Sequence, residues 1–112
     1  MPPFLKITCP NAAGFVGSAK LNVYKHNGDF VGDTRIDCPV SPPENTTIRY
    51  ITDAGNESKT WRIEVTLTNQ SNGHTSNQVF NGSYIPGQQK TTTGKASVTL
   101  DGVTLSGGTG YT

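Results

Sequence analysis

The most regular alternation of apolar and polar residues lies in the segment TWRIEVTLTN, from Thr60 to Asn69. Its apolar side chains occupy every second position: Trp61, Ile63, Val65 and Leu67. Successive side chains of a strand point to opposite faces of the sheet, so this pattern directs one set into a core and the other toward solvent. The segment is therefore predicted to be a central strand.

The pair Asn27-Gly28 in LNVYKHNGDFVG is typical of a tight hairpin turn. Both central residues of a type I′ turn need a positive φ, which Asn and Gly tolerate best. A two-residue turn of this type predicts that His26 lies opposite Asp29, where the two side chains would form a weak, exposed ion pair.

A second tight turn is predicted at Asp101-Gly102 in SVTLDGVTLS. Leu100 would then lie opposite Val103, and one face of this hairpin would be apolar. The other face would carry four short hydroxyl side chains, from Ser97, Thr99, Thr104 and Ser106. Such residues favour strands and can pair across them.

Weaker strand signals lie in FLKITC (4–9), TTIRYIT (46–52) and QVFNGSYI (78–85), the last interrupted near Gly82. No window has apolar residues at helical spacing, and Pro and Gly recur between the strand signals. Together these features predict an all-β fold, a small antiparallel β-sandwich of about seven or eight strands. A chain of 112 residues has room for one such domain, over residues 1–112.

The two cysteines, Cys9 and Cys38, have neither the CxxC spacing nor the neighbouring histidines of a zinc site. We predict a disulfide between them; two buried free thiols are the alternative. Trp61 follows both cysteines, whereas in an immunoglobulin domain the tryptophan lies between them. The sandwich is therefore predicted to have an immunoglobulin-like architecture with non-standard wiring.

The opening residues, MPPFLKITCP, lack the basic region and the apolar core of a signal peptide. Two interpretations follow: a cytosolic protein, or a mature secreted form whose leader was replaced by Met1. Small extracellular β-domains commonly contain a disulfide, so the cysteine pair favours the secreted form.

Charge and hydropathy argue against two classes of partner, nucleic acids and membranes. The formal net charge is +1, and Lys and Arg are scattered without a basic run, so the attraction that drives nucleic-acid binding is missing. No stretch approaches eighteen consecutive apolar residues, so membrane insertion is not expected either.

Catalytic and metal-binding motifs are missing from the sequence. The chain has two histidines and eight carboxylates, with no GxSxG or HExxH pattern, so neither an enzyme nor a cofactor is expected. Asp29, Asp33 and Asp37 recur every fourth residue in GDFVGDTRID. Such a row could bind calcium, or its charges could protect an edge strand from pairing with another chain; the second interpretation is favoured, and no metal site is predicted.

The stretch NQSNGHTSNQVFNGSY, Asn69 to Tyr84, contains many amides and hydroxyls and no formal charge. Part of it, Ser71 to Ser76, could be a long polar connection with Asx-type turns. Amides beside aromatic rings are also what a shallow site for a neutral sugar needs. The residues predicted to contact a ligand are Asn72, His74, Asn77, Gln78 and Tyr84, with Tyr24, Tyr50 and Tyr111 as additional aromatics.

Four Asn-x-Ser/Thr triplets are potential glycosylation sites in a eukaryotic host, at Asn45, Asn56, Asn69 and Asn81. Each is predicted to lie in a loop or at a strand end. Because chance produces such triplets readily in a chain this rich in Asn, Ser and Thr, at most some are expected to be used.

The sequence therefore predicts a small extracellular recognition protein that binds a neutral glycan or a cell-surface glycoprotein, without catalysis. One alternative is a secreted immune-active or effector protein that binds a protein receptor through a sheet face. Another is a structural or adhesion module. Self-association through a sheet face or edge, as a two-fold homodimer, is also predicted, because the near-neutral charge offers little repulsion.

Overall fold

The computed structural model describes residues 3–39, 46–50, 59–85, 90–91 and 94–111. Nine strands lie within these ranges: β1 (Pro3–Thr8), β2 (Phe15–Lys25), β3 (Phe30–Cys38), β4 (Thr46–Tyr50), β5 (Lys59–Asn69), β6 (Thr75–Ile85), β7 (Lys90–Thr91), β8 (Gly94–Leu100) and β9 (Val103–Tyr111). No helix long and apolar enough to cross a bilayer occurs in the part of the chain described.

Two antiparallel sheets pack face to face, which confirms the predicted β-sandwich. One sheet has the strand order β4-β1-β9-β8, and the other has the order β3-β2-β5-β6-β7. The two-residue β7 is a short addition to the end of β6, so the sandwich has eight longer strands. The predicted central strand, β5, is the middle strand of the second sheet, as its alternating pattern indicated.

The core is formed by the side chains that face inward from both sheets. Trp61, Ile63, Val65 and Leu67 of β5 are at most 1% exposed. They pack with Leu5 and Ile7 of β1, Ala19, Leu21 and Val23 of β2, and Val98 and Leu105 of the β8–β9 hairpin. Apolar burial at every second position of several strands is the main force that holds the two sheets together.

The β8–β9 hairpin forms with the predicted register. Leu100 pairs with Val103. Asp101 and Gly102 both have positive φ, 50° and 80°, as a two-residue type I′ turn requires.

The predicted register of the β2–β3 hairpin is wrong by one residue. Gly28 has a positive φ of 93°, and its N–H donates to the Lys25 carbonyl at 2.9 Å, while the Lys25 N–H donates to the Asp29 carbonyl. The loop therefore contains three residues and Lys25, not His26, faces Asp29. A three-residue turn with glycine in the left-handed position is the usual alternative to the two-residue turn. The Asp29 carboxylate accepts from the side chain of Asn27.

The predicted disulfide is confirmed between Cys9 and Cys38, whose Cα atoms lie 5.7 Å apart. Cys9 directly follows β1 in one sheet, and Cys38 ends β3 in the other. The bond thus joins the two layers at a point where both cysteines are buried.

The amide-rich stretch is mostly strand rather than the long polar connection considered from the sequence. The connection after β5 is a turn of five residues, 70–74, and β6 runs without interruption from Thr75 to Ile85. Gly82 does not break it. Gly82 pairs with Trp61, and a Cβ at that position would collide with the Trp61 indole, so glycine here makes room for the largest core side chain.

Candidate functional site

The structure does not bring the five predicted ligand residues into one site. Asn72 and His74 lie in the β5–β6 turn, whereas Asn77 and Gln78 are neighbours in β6 and therefore face opposite sides of the sheet. Tyr84 pairs with Lys59 near the far end of β6, about 23 Å along the strand from Asn77. The Tyr84 side chain lies outside the described part of the structure.

Asn72 and His74 belong to a hydrogen-bonded cluster around Asp101. The Asp101 carboxylate accepts from the side-chain amides of Asn69 at 2.8 Å and of Asn72 at 2.9 Å. The Nδ1 atom of His74 lies 3.3 Å from the same carboxylate oxygen. These contacts join the β5–β6 turn to the β8–β9 turn, so the cluster fastens one sheet to the other.

The electrostatics of this cluster favour the ionised carboxylate. The hydrogen bonds from Asn72 and Asn69, more than the His74 contact, lower the pKa of Asp101 below its ordinary value of 3.8. Asn69 also receives the Ser71 N–H on its side-chain oxygen, and the Asn72 oxygen receives the His74 N–H. The amides here are therefore engaged in building the turn.

The amides of Asn77 and Gln78 are engaged as well. Asn77 donates to the Thr66 hydroxyl at 2.8 Å on the outer face of the sheet. Gln78 accepts from the backbone N–H of Ser97 at 2.6 Å, and this bond spans from β6 to the edge of β8. Ligand contact by Asn77 and Gln78 stays a prediction; both side chains already form hydrogen bonds within the fold.

A different pair of amides lies on the outer face of the five-stranded sheet. Asn22 of β2 is opposite Arg62 of β5, and Arg62 is opposite Asn81 of β6. Directly opposed residues project on the same face about 5 Å apart, so these three side chains form one row. Within the described residues, the amide groups of Asn22 and Asn81 have no hydrogen-bond partner.

An aromatic pair stands beside this row. Tyr24 follows Asn22 by two residues on the same face of β2 and pairs with Phe30 of β3. Their rings meet edge to face with centroids 5.9 Å apart, and Phe30 is 58% exposed. Sequence reasoning named Tyr24 but missed Phe30, because the predicted two-residue turn, with His26 opposite Asp29, places the next residue, Phe30, opposite Lys25 instead of Tyr24. Together Asn22, Arg62, Asn81 and the two aromatic residues are called the amide–aromatic row below.

The cations and carboxylates near this row are paired with each other. Lys20 lies 3.8 Å from Asp33, Arg35 lies 2.8 Å from Asp37, and Arg62 lies 3.8 Å from Glu64. Pairs this exposed contribute little to stability. They do leave the face close to neutral.

The three aspartates considered for calcium are thus each engaged separately, Asp33 and Asp37 with cations and Asp29 with Asn27. In the described ranges no three His, Cys, Asp or Glu side chains are grouped in a way that could hold a metal ion.

The outer face of the four-stranded sheet carries lysine and hydroxyl side chains around a cavity. A shallow cavity of about 280 Å³ there is lined by Lys6, Thr8, Lys95 and Ser106, with Gly107 and Gly108 among its other residues. Lys6 and Lys95 both pair with Gly108, so the two cations stand on either side of a strand that has no side chain at that position. This face offers charge and hydroxyl groups, and no aromatic side chain is among the described residues that line the cavity.

Two of the four potential glycosylation sites can be placed. Asn69 is only 8% exposed, and its side-chain nitrogen donates to Asp101. Asn81 is exposed on β6. Asn45 and Asn56 lie outside the described residues.

Among the described residues, the amide–aromatic row combines side-chain amides that have no hydrogen-bond partner with the exposed ring of Phe30. Comparison of the chain with known proteins finds no matching family model, no matching curated protein and no matching solved structure.

Proposed function

We propose that the protein recognises a neutral glycan through the amide–aromatic row, without catalysing a reaction. The observation that carries the proposal is the contrast between two sets of amides. Asn69, Asn72, Asn77 and Gln78 are engaged internally, whereas Asn22 and Asn81 present free amides on an exposed sheet face beside the Tyr24–Phe30 pair.

The chemistry of a sugar matches these groups. Each side-chain amide offers donors and an acceptor, so it can distinguish the orientation of a hydroxyl group, and Arg62 adds further donors between the two amides. The exposed ring of Phe30 provides an apolar surface for the C–H side of a pyranose, and the Tyr24 hydroxyl adds a polar tip. A ligand spanning Asn22, Arg62 and Asn81 would cross three strands, about 10 Å, which is the length of a disaccharide.

The charge balance of the face supports a neutral ligand rather than an acidic one. Lys20, Arg35 and Arg62 each have a carboxylate partner. Binding is therefore expected to persist from low to high ionic strength, because screening weakens ion-pair association but leaves amide and stacking contacts almost unchanged.

The same proposal includes secretion. The Cys9–Cys38 disulfide supports it, since such bonds form and persist in oxidising compartments.

A glycan array probed with the purified protein is the direct test. We expect saturable binding that free sugar inhibits, and Asn22→Ala and Phe30→Ala should each weaken it by about tenfold or more, because one contact of about 1.4 kcal/mol changes affinity tenfold. Ile48→Ala is the matched control. Ile48 is an exposed apolar residue, 47% accessible, on β4 in the other sheet, so its truncation should leave sugar binding unchanged.

Two outcomes would contradict the proposal: wild-type affinity in both variants, or binding that collapses in moderate salt. If the chain still binds a cell-surface protein after the glycans of that protein have been removed enzymatically, the first alternative is favoured: a secreted protein that binds a protein receptor. If neither the array nor cells show saturable binding, the other alternative is favoured: a structural or adhesion module.

A further inference from the structure

We infer that the outer edge of β6 pairs with the same edge of a second copy, to form a two-fold dimer with a continuous sheet centred on Val79. The inference does not depend on glycan binding. It rests on three features: the β6 backbone N–H and C=O groups that point away from β5, the symmetric pattern of outward side chains on β6, and the charges and hydrogen bonds that protect the other sheet edges.

The direction of the backbone groups follows from one bond. The Asn69 N–H donates to the His74 carbonyl at 2.9 Å, and the register between β5 and β6 continues without a shift from Thr68–Thr75 to Lys59–Tyr84. In an antiparallel pair, hydrogen-bonded and non-hydrogen-bonded pairs alternate. The even-numbered residues of β6 therefore bond to β5, and the odd-numbered ones direct N–H and C=O away from it: Thr75, Asn77, Val79, Asn81 and Ser83.

These outward groups lack a strand partner in the described structure until β6 reaches β7. The β7 strand pairs only with Tyr84 and Ile85. Thr75 to Ser83 thus remains an open edge of nine residues, long enough to accept a strand.

The side chains of this edge are self-complementary about Val79. If two copies of β6 run antiparallel with Val79 opposite Val79, then Asn77 lies opposite Asn81 and Thr75 lies opposite Ser83. Amide thus meets amide, hydroxyl meets hydroxyl, and an apolar residue that is 37% exposed meets its copy. β6 carries no charged side chain, so no like charges oppose each other across the axis.

The paired segments also match in length. With this register the partner's Thr75 lies opposite Ser83 and the partner's Ser83 lies opposite Thr75, so the partner strand stops short of Tyr84, where β7 begins to pair.

The other edges carry features that hinder pairing. β3 projects Asp33, Arg35 and Asp37 along its length, and charged side chains protect an edge strand. On β8, the backbone N–H of Ser97 already donates to the Gln78 side chain. β4 spans five residues and includes Arg49. Among the edges described, β6 is the long, uncharged one.

Light scattering after size-exclusion chromatography tests the dimer. The mass should rise with concentration from 11.9 kDa toward twice that value. Val79→Lys should raise the dimer dissociation constant by at least about tenfold, because it opposes two like charges at the axis. Thr99→Lys is the matched control, since it adds the same charge to an exposed position on the edge strand β8, and it should leave the dimer intact.

Cysteine cross-linking tests the register. In a hydrogen-bonded antiparallel pair the Cα atoms are about 5.5 Å apart, within the range for a disulfide. Val79→Cys should therefore form a covalent dimer by itself. Asn77→Cys alone should not, but a mixture of the Asn77→Cys and Asn81→Cys chains should form a mixed dimer. Denaturing electrophoresis without reductant shows each product.

Four results would overturn the inference. In light scattering, these are a monomer mass at all concentrations, or a dimer that Thr99→Lys dissociates but Val79→Lys does not. In cross-linking, they are a covalent dimer of Asn77→Cys alone formed as readily as that of Val79→Cys, or no mixed dimer from the Asn77→Cys and Asn81→Cys chains. None of these measurements uses a sugar, so they fail or succeed independently of the glycan array.

Discussion

The side-chain amide of Asn69 donates to the carboxylate of Asp101 at 2.8 Å, and this bond connects the end of β5 to the β8–β9 turn, which belongs to the other sheet. Asn72 donates to the same carboxylate oxygen. Asp101 also holds a positive φ at the tip of the β8–β9 hairpin. One residue therefore shapes its own turn and accepts the bonds that fasten that turn to the opposite sheet.

The first prediction concerns this carboxylate. Asp101→Asn should lower the melting temperature by a few degrees, because a neutral amide oxygen accepts more weakly than a carboxylate, while Asn still tolerates the left-handed conformation. Differential scanning calorimetry measures the change. Asp29→Asn is the matched control, because that carboxylate bonds to Asn27 within its own turn; an equal loss in both variants would contradict a role for Asp101 in joining the sheets.

The second prediction is the pH dependence of the same contact. The hydrogen bonds lower the pKa of Asp101 in the folded chain below its ordinary value of 3.8. A depressed carboxyl pKa contributes stability that is fully present above the unfolded value and is lost as pH falls through the folded value. The difference in melting temperature between the wild type and Asp101→Asn should thus be present above pH 3.8 and shrink as the pH falls below that value. A difference independent of pH down to the acid transition would contradict it.

The third prediction compares two neighbouring glycines of β9. A Cβ at Gly107 would lie 2.9 Å from Val65 and 3.2 Å from Ile63 in the core, whereas at Gly108 the nearest atom would be 3.5 Å away. Gly107→Ala should destabilise the fold by about 1 to 3 kcal/mol through overpacking. Gly108→Ala should be neutral or slightly stabilising, since it restricts the unfolded chain. Chemical denaturation measures both, and equal effects would argue against close packing at Gly107.

The fourth prediction concerns the disulfide. Replacing both Cys9 and Cys38 by Ala should reduce the free energy of unfolding by about 3 to 4 kcal/mol, because the closed loop restricts the unfolded chain. Urea denaturation of the variant and of the wild type, with and without reductant, measures this loss. Reductant should lower the stability of the wild type toward that of the variant and leave the variant unchanged; a wild type insensitive to complete reduction would contradict the prediction.

The fifth prediction separates two glycosylation sites. In a eukaryotic host, Asn81 should carry a glycan, because it is exposed, whereas the buried amide of Asn69 should not. Peptide mapping by mass spectrometry reads both sites, with Asn81→Gln as the control that removes the expected signal. A modified Asn69 and an unmodified Asn81 would reverse the expectation. Asn81 also lies in the proposed dimer edge and in the amide–aromatic row. A glycan at Asn81 should therefore weaken both dimer formation and sugar binding.

Sequence reasoning was strongest where a local pattern has one structural consequence. Strict alternation in TWRIEVTLTN predicted the central strand, β5, and the Asp101-Gly102 turn predicted the register of its hairpin. The Asn27-Gly28 pair did not determine the loop length, because an Asn-Gly pair suits both two-residue and three-residue loops. That choice shifted Phe30 by one position, and the aromatic pair with Tyr24 was missed.

The sequence by itself determined the all-β fold and the pairing of Cys9 with Cys38, because alternation, turn chemistry and a single pair of cysteines are local or unique signals. Only the tertiary structure decided which amides are free to meet a ligand. Asn69 and its acceptor Asp101 are 32 residues apart, and Asn22 and Asn81 come together only through their shared neighbour Arg62. A side-chain amide looks the same in the sequence whether it bonds within the fold or faces solvent, since its partner is set by how the sheets pack.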